Sequence, residues 1–160
     1  MPVTGPIRLD TRTVTVTVYR PSDPNDPNQE NIAIISGVWD KKTGGEVDSE
    51  ETLYHPGGMV PPVSLGGRKN VGNLVLTRLC KIERDWYAIP SLISAVGRSK
   101  VTVGDQAMDI DGNAAGTSGS NKNPLTYNGI LKRVTPPEVD SESSGPALIE
   151  IEVTVNGYPS

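Results

Sequence analysis

A chain of 160 residues with a formal net charge of −4 is long enough for one domain with a true core, and 35% apolar content without a single Phe means that Val, Ile and Leu must build that core. One Cys excludes an internal disulfide framework, one His beside it excludes a tetrahedral structural zinc site within a single chain, and no apolar run approaches the length of a membrane span. The 17 Gly and 14 Pro are too many for a helical bundle and too few for a low-complexity polymer, which leaves many turns between short strands.

Met1 to Tyr19 has neither the basic start nor the apolar run of a signal peptide, so the protein is expected to be made in the cytoplasm and to leave it, if at all, by lysis. Thr13 to Tyr19 alternates strictly, with Val14, Val16 and Val18 on one face and Thr on the other, the period-two pattern of a strand buried on one side. Pro21 to Asn31 (PSDPNDPNQEN) is a solvated loop, and Ile32 to Val38 is a second strand. Asp40 to Thr52 is charged, contains glycines and is weakly patterned. It reads as a long hairpin loop or a protruding arm around 40–52, carrying Asp40, Lys41, Lys42, Glu46, Asp48, Glu50 and Glu51. Leu53 and Tyr54 resume pairing before His55-Pro56-Gly57-Gly58 turns the chain.

After Pro61-Pro62, a Gly66-Gly67-Arg68 turn leads into a strand over Val71 to Leu79. Ile89, Leu92, Ile93 and Val96 then fall at i, i+3, i+4 and i+7, one face of a helix that Gly97 stops. Pro90 would clash in a helix begun at Asp85, so either Asp85 to Ile89 is a separate turn or the helix starts with Pro90 at its first position. Lys100 to Val103, Ala107 to Ile110 and Tyr127 to Val134 are further strand candidates. Flexible loops are expected around 21–31 and 112–124, with a second acidic loop at Pro136 to Pro146. The last strand alternates Ile149, Ile151, Val153 and Val155 with Glu150, Glu152, Thr154 and Asn156, and so turns both glutamates away from the core. The predicted fold is mainly β (α+β): an antiparallel β-sandwich or open barrel with one short flanking helix, as a single domain over 1–160.

No catalytic, cofactor-binding or metal-ligating residue is predicted. His55 precedes a Pro-Gly-Gly turn, where it supports the turn, and Cys80 ends an apolar strand as a buried structural thiol. Gly67-Arg68-Lys69-Asn70-Val71-Gly72 has the glycine spacing of a phosphate-binding loop, yet Asn73 and Leu74 stand where Lys and Ser or Thr are needed. Asp109-Ile110-Asp111-Gly112-Asn113 offers alternating oxygens of calcium type, but Gly comes too early and Ser120 replaces the closing glutamate. A solvated turn is the simpler reading.

Charge is segregated along the chain. Residues 1 to 62 carry 5 basic and 9 acidic side chains, residues 63 to 100 carry 7 and 2, and residues 103 to 160 carry 3 and 8. Either the opposite charges fold against each other, or a basic face of one copy meets an acidic face of the next. Overall acidity and few aromatics argue against nucleic-acid binding by the basic segment.

Taken in order, Ser36-Gly37-Val38, His55-Pro56-Gly57-Gly58, Gly66-Gly67-Arg68, Thr77-Arg78 and Asp85-Trp86-Tyr87, with an alternating strand at each end, resemble the tail tube (major tail) proteins of long-tailed bacteriophages. That family is related to tube proteins of contractile injection systems, and the resemblance runs from Thr13 to Val155. It implies a structural virion protein whose strands join into a larger barrel on oligomerisation. Hexameric rings then stack into a hollow tube through which DNA is ejected. The implied partners are copies of itself, the tape measure, the tail terminator, baseplate or tail-tip proteins and transiently passing DNA, with no membrane and no cofactor. The implied place is the phage tail, assembled in the bacterial cytoplasm. On this resemblance Glu150 and Glu152 line the lumen and the 40–52 arm reaches a neighbouring subunit. The Pro21 to Asn31 and Gly112 to Asn123 loops depart from the family pattern. The rival reading is a non-enzymatic binding β-sandwich of virion-decoration or adhesin type; an enzyme ranks last.

Overall fold

The computed structural model describes residue 7 and residues 12–108, 113–115 and 124–156. Among these described residues, ten strands, β1 (Arg12–Tyr19), β2 (Ala33–Trp39), β3 (Lys41–Gly44), β4 (Val47–Tyr54), β5 (Val63–Val71), β6 (Leu74–Leu79), β7 (Lys100–Met108), β8 (Ala114–Ala115), β9 (Leu125–Thr135) and β10 (Leu148–Val155), accompany one helix, α1 (Ile89–Ala95). Eight strands form a sheet in the order β2-β1-β7-β9-β10-β6-β3, with β8 on β7, while β4 and β5 pair only with each other. All the pairings are antiparallel. Of the two expected architectures, the open barrel is the one formed: the sheet curls into a half-barrel around its own apolar face.

The alternation of the sequence explains the curl. Val14, Val16 and Val18 of β1, Val101 and Val103 of β7, Leu131 of β9, and Ile149, Ile151 and Val153 of β10 are buried on one side, joined by Leu74 and Leu76 of β6. The two edge strands, β2 and β3, are separated only by Asp40, yet β2 pairs with β1 and β3 with β6, at opposite edges of the sheet. The sheet must therefore bend until its edges nearly meet. Asp40 marks the corner: its N–H donates to the Thr77 carbonyl and its side chain accepts from the Leu79 amide at 3.0 Å.

α1 is only seven residues long. A 3-10 turn, Trp86–Ala88, precedes it, close to the separate turn expected, and the helix opens at Ile89 with Pro90 as its second residue, one position later than the alternative reading placed it. The buried face is Ile89, Leu92 and Ala95, whereas Ile93 and Val96 of the expected stripe are exposed. The rotation is set by the exit of the helix: the Gly97 N–H donates to the Leu131 carbonyl and the Leu131 N–H to the Ser99 carbonyl, pinning the helix end to β9. Gly97 has φ of 83°, which favours glycine and stops the helix there.

Three other expectations change. Lys100 to Met108 is one continuous strand in place of two short ones. The Gly66-Gly67-Arg68 turn is instead part of β5, where the register slips opposite Glu50, between Ser49 paired with Lys69 and Glu51 paired with Gly66. A Cβ on Gly67 would lie 2.0 Å from the Glu50 carbonyl oxygen, so the glycine permits a bulge inside a strand. The 21–31 segment holds a 3-10 turn at Gln29–Asn31 and side-chain-to-amide turns from Asp23 and Asp26. Apart from Asn113, the calcium-like Asp109-Asn113 motif lies outside the described residues, as does most of the 112–124 loop.

Candidate functional site

The stretch expected to form one arm is divided by the structure. Lys41–Gly44 is an edge strand of the main sheet, and the projection is the β4–β5 hairpin beyond it. Asp48, Glu50 and Glu51 lie on β4, Glu46 sits at the hairpin base, where its carbonyl accepts from the Gly72 amide at 2.7 Å, and Asp40, Lys41 and Lys42 belong to the barrel seam. Gly44 and Gly45, with φ of 88° and 81°, turn the chain out of the sheet. A Cβ on Gly45 would meet Leu74 at 2.8 Å and Tyr127 at 3.1 Å, so the base of the hairpin is tightly seated.

Beyond that base, no other element among the described residues covers the hairpin. Every residue of β4 is exposed, and Leu53, Tyr54, Val60, Val63, Leu65 and the fully exposed Met59 present apolar surface to solvent. In the register of the distal half, Tyr54 lies opposite Val63 and Thr52 opposite Leu65, so Tyr54, Val63 and Leu65 share one face. Strands of eight and nine residues reach roughly 25–30 Å at about 3.3 Å per residue.

Two buried ion clusters mark the two ends of the barrel interior. At the hairpin end, Asp105 of β7 pairs with Arg12 of β1 and, across the interior, with Lys42 Nζ of β3 at 3.1 Å. Lys42 also lies 4.8 Å from the centre of the Tyr127 ring. A lysine that reads as a solvated arm residue thus closes the barrel. At the other end Arg78, fully buried, pairs with Asp85, stacks 4.5 Å from the Trp39 ring and reaches the Val38 carbonyl at 3.5 Å. Asp85 also accepts from Arg84 at 2.9 Å and from the Lys81 amide at 3.3 Å. Burial alone would raise the Asp85 pKa, but the hydrogen bonds from Arg84 and the Lys81 amide and the charge of Arg78 outweigh it and hold the carboxyl below its usual range. Burial likewise lowers the Arg78 pKa, with Asp85 opposing it. Sequence reading singled out Thr77-Arg78 and Asp85-Trp86 as landmarks without joining them; the chain between them folds back so that they meet. Cys80, half-buried beside this cluster, has its pKa raised by burial.

The sheet face away from the core is rich in hydroxyls: Thr15 and Thr17 of β1, Thr102 of β7, Thr126 of β9 and Thr154 of β10 follow from the same alternation. Glu150 and Glu152 lie on this face, but they are not bare. Arg133 contacts both at 3.1 Å, Lys132 reaches Glu152 at 3.5 Å, and Asn73 donates to Glu152 at 3.1 Å. The Asn73 hydrogen bond lowers the Glu152 pKa most, burial opposes it, and the charges of Lys132 and Arg133 add to the lowering. A bulge in β9 brings the cations there: Glu152 pairs with Arg133 and Val153 with Leu131, leaving Lys132 as the extra residue. The two carboxylates therefore sit in a locally balanced cluster, and simple alternation could not reveal its cationic half.

Among the described residues no group of three His, Cys, Asp or Glu side chains is placed to hold a metal, and no helix is long and apolar enough to cross a membrane. No family model matches the sequence, and no curated protein is similar to it in sequence. Solved structures do match in fold. A chain of the sheath–tube complex of an extracellular contractile injection system (PVC) aligns over 97% of this chain and 90% of its own, with TM-score 0.61 and 15% identity. A chain of the anti-feeding prophage baseplate, solved with sixfold symmetry, aligns over 97% and 95% with TM-score 0.63 and 14% identity. A chain of the anti-feeding prophage cap, the tube-terminating cap, aligns over 100% and 93% with TM-score 0.61 and 14% identity. Along nearly its whole length, this chain has the fold of proteins that build the tube assemblies of contractile injection systems.

Proposed function

We propose that this protein is a non-catalytic tube subunit, whose copies form six-membered rings that stack into the hollow conduit of a phage tail or a related injection particle. The observation that carries the reading is the β4–β5 hairpin: its apolar face is left exposed by the described residues, and exposed contiguous apolar surface marks an interaction site. The similarity to sheath–tube, baseplate and cap chains supports a contractile setting with a terminator and baseplate proteins as partners; a tape measure as partner and assembly in the bacterial cytoplasm are further parts of the proposal.

In this reading the hydroxyl-rich sheet face lines the lumen, with Glu150 and Glu152 on it. The paired Arg133 and Lys132 make that wall close to neutral, and DNA or another cargo meets few unbalanced cations to adhere to. Negative-stain microscopy and sedimentation over a range of protein concentrations test the proposal. Rings or long hollow rods are expected; a strict monomer or closed trimer at every concentration and salt would instead establish the binding-module reading.

A further inference from the structure

Between β4 and β5 the chain turns through residues 55–62 (HPGGMVPP), all exposed but for the half-buried Pro56. A Cβ built on Gly57 or Gly58 would meet nothing within 4 Å, so among the described residues no group packs over this tip. Met59 stands there fully exposed, with its thioether open to solvent. Met108, the other methionine among the described residues, is half-buried on β7 with its sulfur 4.0 Å from the Thr13 hydroxyl. Cys80 is half-buried, and burial raises its pKa, which depletes the thiolate that reacts with peroxides. A thioether needs no deprotonation to react, so access alone makes Met59 the foremost target of a peroxide among these three sulfurs.

Resting on the reading of the hairpin as an assembly surface, we infer that Met59 is a redox modification site, whose conversion to the sulfoxide by a hydroperoxide switches assembly off. The sulfur lone pair attacks one peroxide oxygen; the S–O bond forms as the O–O bond breaks, and the departing oxygen takes up a proton and leaves as water or alcohol. Sulfur gives up two electrons and the peroxide receives them. A dithiol reductase reverses the step, returning the thioether with one disulfide and one water. The consequence follows from the setting. Met59 adjoins Val60 and extends the exposed apolar surface of Tyr54, Val63 and Leu65, and a polar sulfoxide buried there without a partner weakens the contact. The monomer carries no such cost, because in it the side chain is already in water. Oxidation therefore acts on association and leaves the fold intact.

The test treats the full chain with hydrogen peroxide, once dispersed and once assembled, and follows Met59 by peptide mass and rods by sedimentation. Dispersed protein is expected to take up one oxygen at Met59 before Met108 or Cys80 reacts, to keep its thermal midpoint, and to lose rod yield roughly tenfold. Methionine sulfoxide reductase should restore the yield, and Met59 in rods should oxidise far more slowly than in dispersed protein. Met59→Leu keeps an apolar tip without the sulfur and should form rods before and after peroxide alike. Normal assembly of protein oxidised at Met59, equal oxidation rates in the two states, or an equal loss of rods from peroxide-treated Met59→Leu would each overturn the switch and leave the tube reading standing. Absence of rods from the untreated wild-type chain at every salt would overturn the tube reading, and the switch with it.

Discussion

The curled sheet and the β4–β5 hairpin are both antiparallel and both carry valine, leucine and tyrosine, yet one buries its apolar side and the other leaves it open. In β10, Ile149, Ile151 and Val153 meet the strands curled round them; in the hairpin, Tyr54, Val63 and Leu65 stay about half exposed. An isolated two-stranded hairpin is marginal in water. Sequence pattern states which residues want cover, and topology decides whether the same chain supplies it.

The largest effect should come from removing the hairpin. Replacing residues 48–70 with an Asn-Gly turn is expected to abolish rods while leaving the thermal midpoint of the monomer nearly unchanged, as read by microscopy and calorimetry. Deleting Lys41 to Glu51 is expected to behave quite differently. That segment includes β3 and Lys42, the cross-barrel partner of Asp105, so the folded state itself should be lost.

Within the sheet, Arg78→Met removes the buried guanidinium paired with Asp85, which keeps Arg84 and the Lys81 amide, and should cost about 3 kcal/mol in denaturant titration. Leu131→Ala should cost about 2–5 kcal/mol by leaving a cavity at a fully buried site. Leu65→Ser on the hairpin should cost the monomer little and fall on assembly alone. Equal destabilisation of the monomer by the Leu131 and Leu65 changes would erase the distinction between the two regions.

Acid should weaken the sheet first. The folded-state pKa of Asp85 lies below its ordinary value of 3.8, so its stabilisation is fully present above that value and is lost as pH falls through the folded pKa. Unfolding free energy measured below about pH 5 should therefore drop with falling pH, and Asp85→Asn, less stable throughout, should show a flatter acid limb. A parallel pair of acid limbs would remove Asp85 from the account.

The smallest effect on folding is expected for Glu150→Lys with Glu152→Lys. Both side chains sit on the polar face, and such partly exposed ion pairs contribute about 1 kcal/mol or less each. The double variant should fold and place four cations together with Arg133 and Lys132. Its rods should then bind DNA in a way that salt reverses, measured by retention at low and high ionic strength. Wild-type-like retention would place these residues outside the lumen.

How much of this was legible follows from which residues announce their surroundings. β1 and β10 were readable because burial on one side writes period two into the sequence. β4 was not: Asp48-Ser49-Glu50-Glu51 is exposed on both faces, so no alternation is imposed, and the bulge at Gly67 imitates a turn. The helix was placed correctly but its face was not, because in seven residues the tether to Leu131 outweighs the apolar stripe. Of the candidate site residues, Glu150 and Glu152 take the polar face that alternation assigns. Lys42 departs from its expected place because a long aliphatic stem lets a lysine be half-buried while its ammonium finds Asp105. The Arg78–Asp85 contact needed the third dimension.

The corner at Asp40 bears on when copies combine. Because one continuous segment supplies both margins of the sheet, neither margin runs as a long flat ribbon: one is seven residues, the other four, and they diverge at the bend. Short, turned-away borders are poor templates for indiscriminate zippering between newly made chains. A freshly synthesised pool would therefore assemble slowly on its own, with a lag that preformed ends remove.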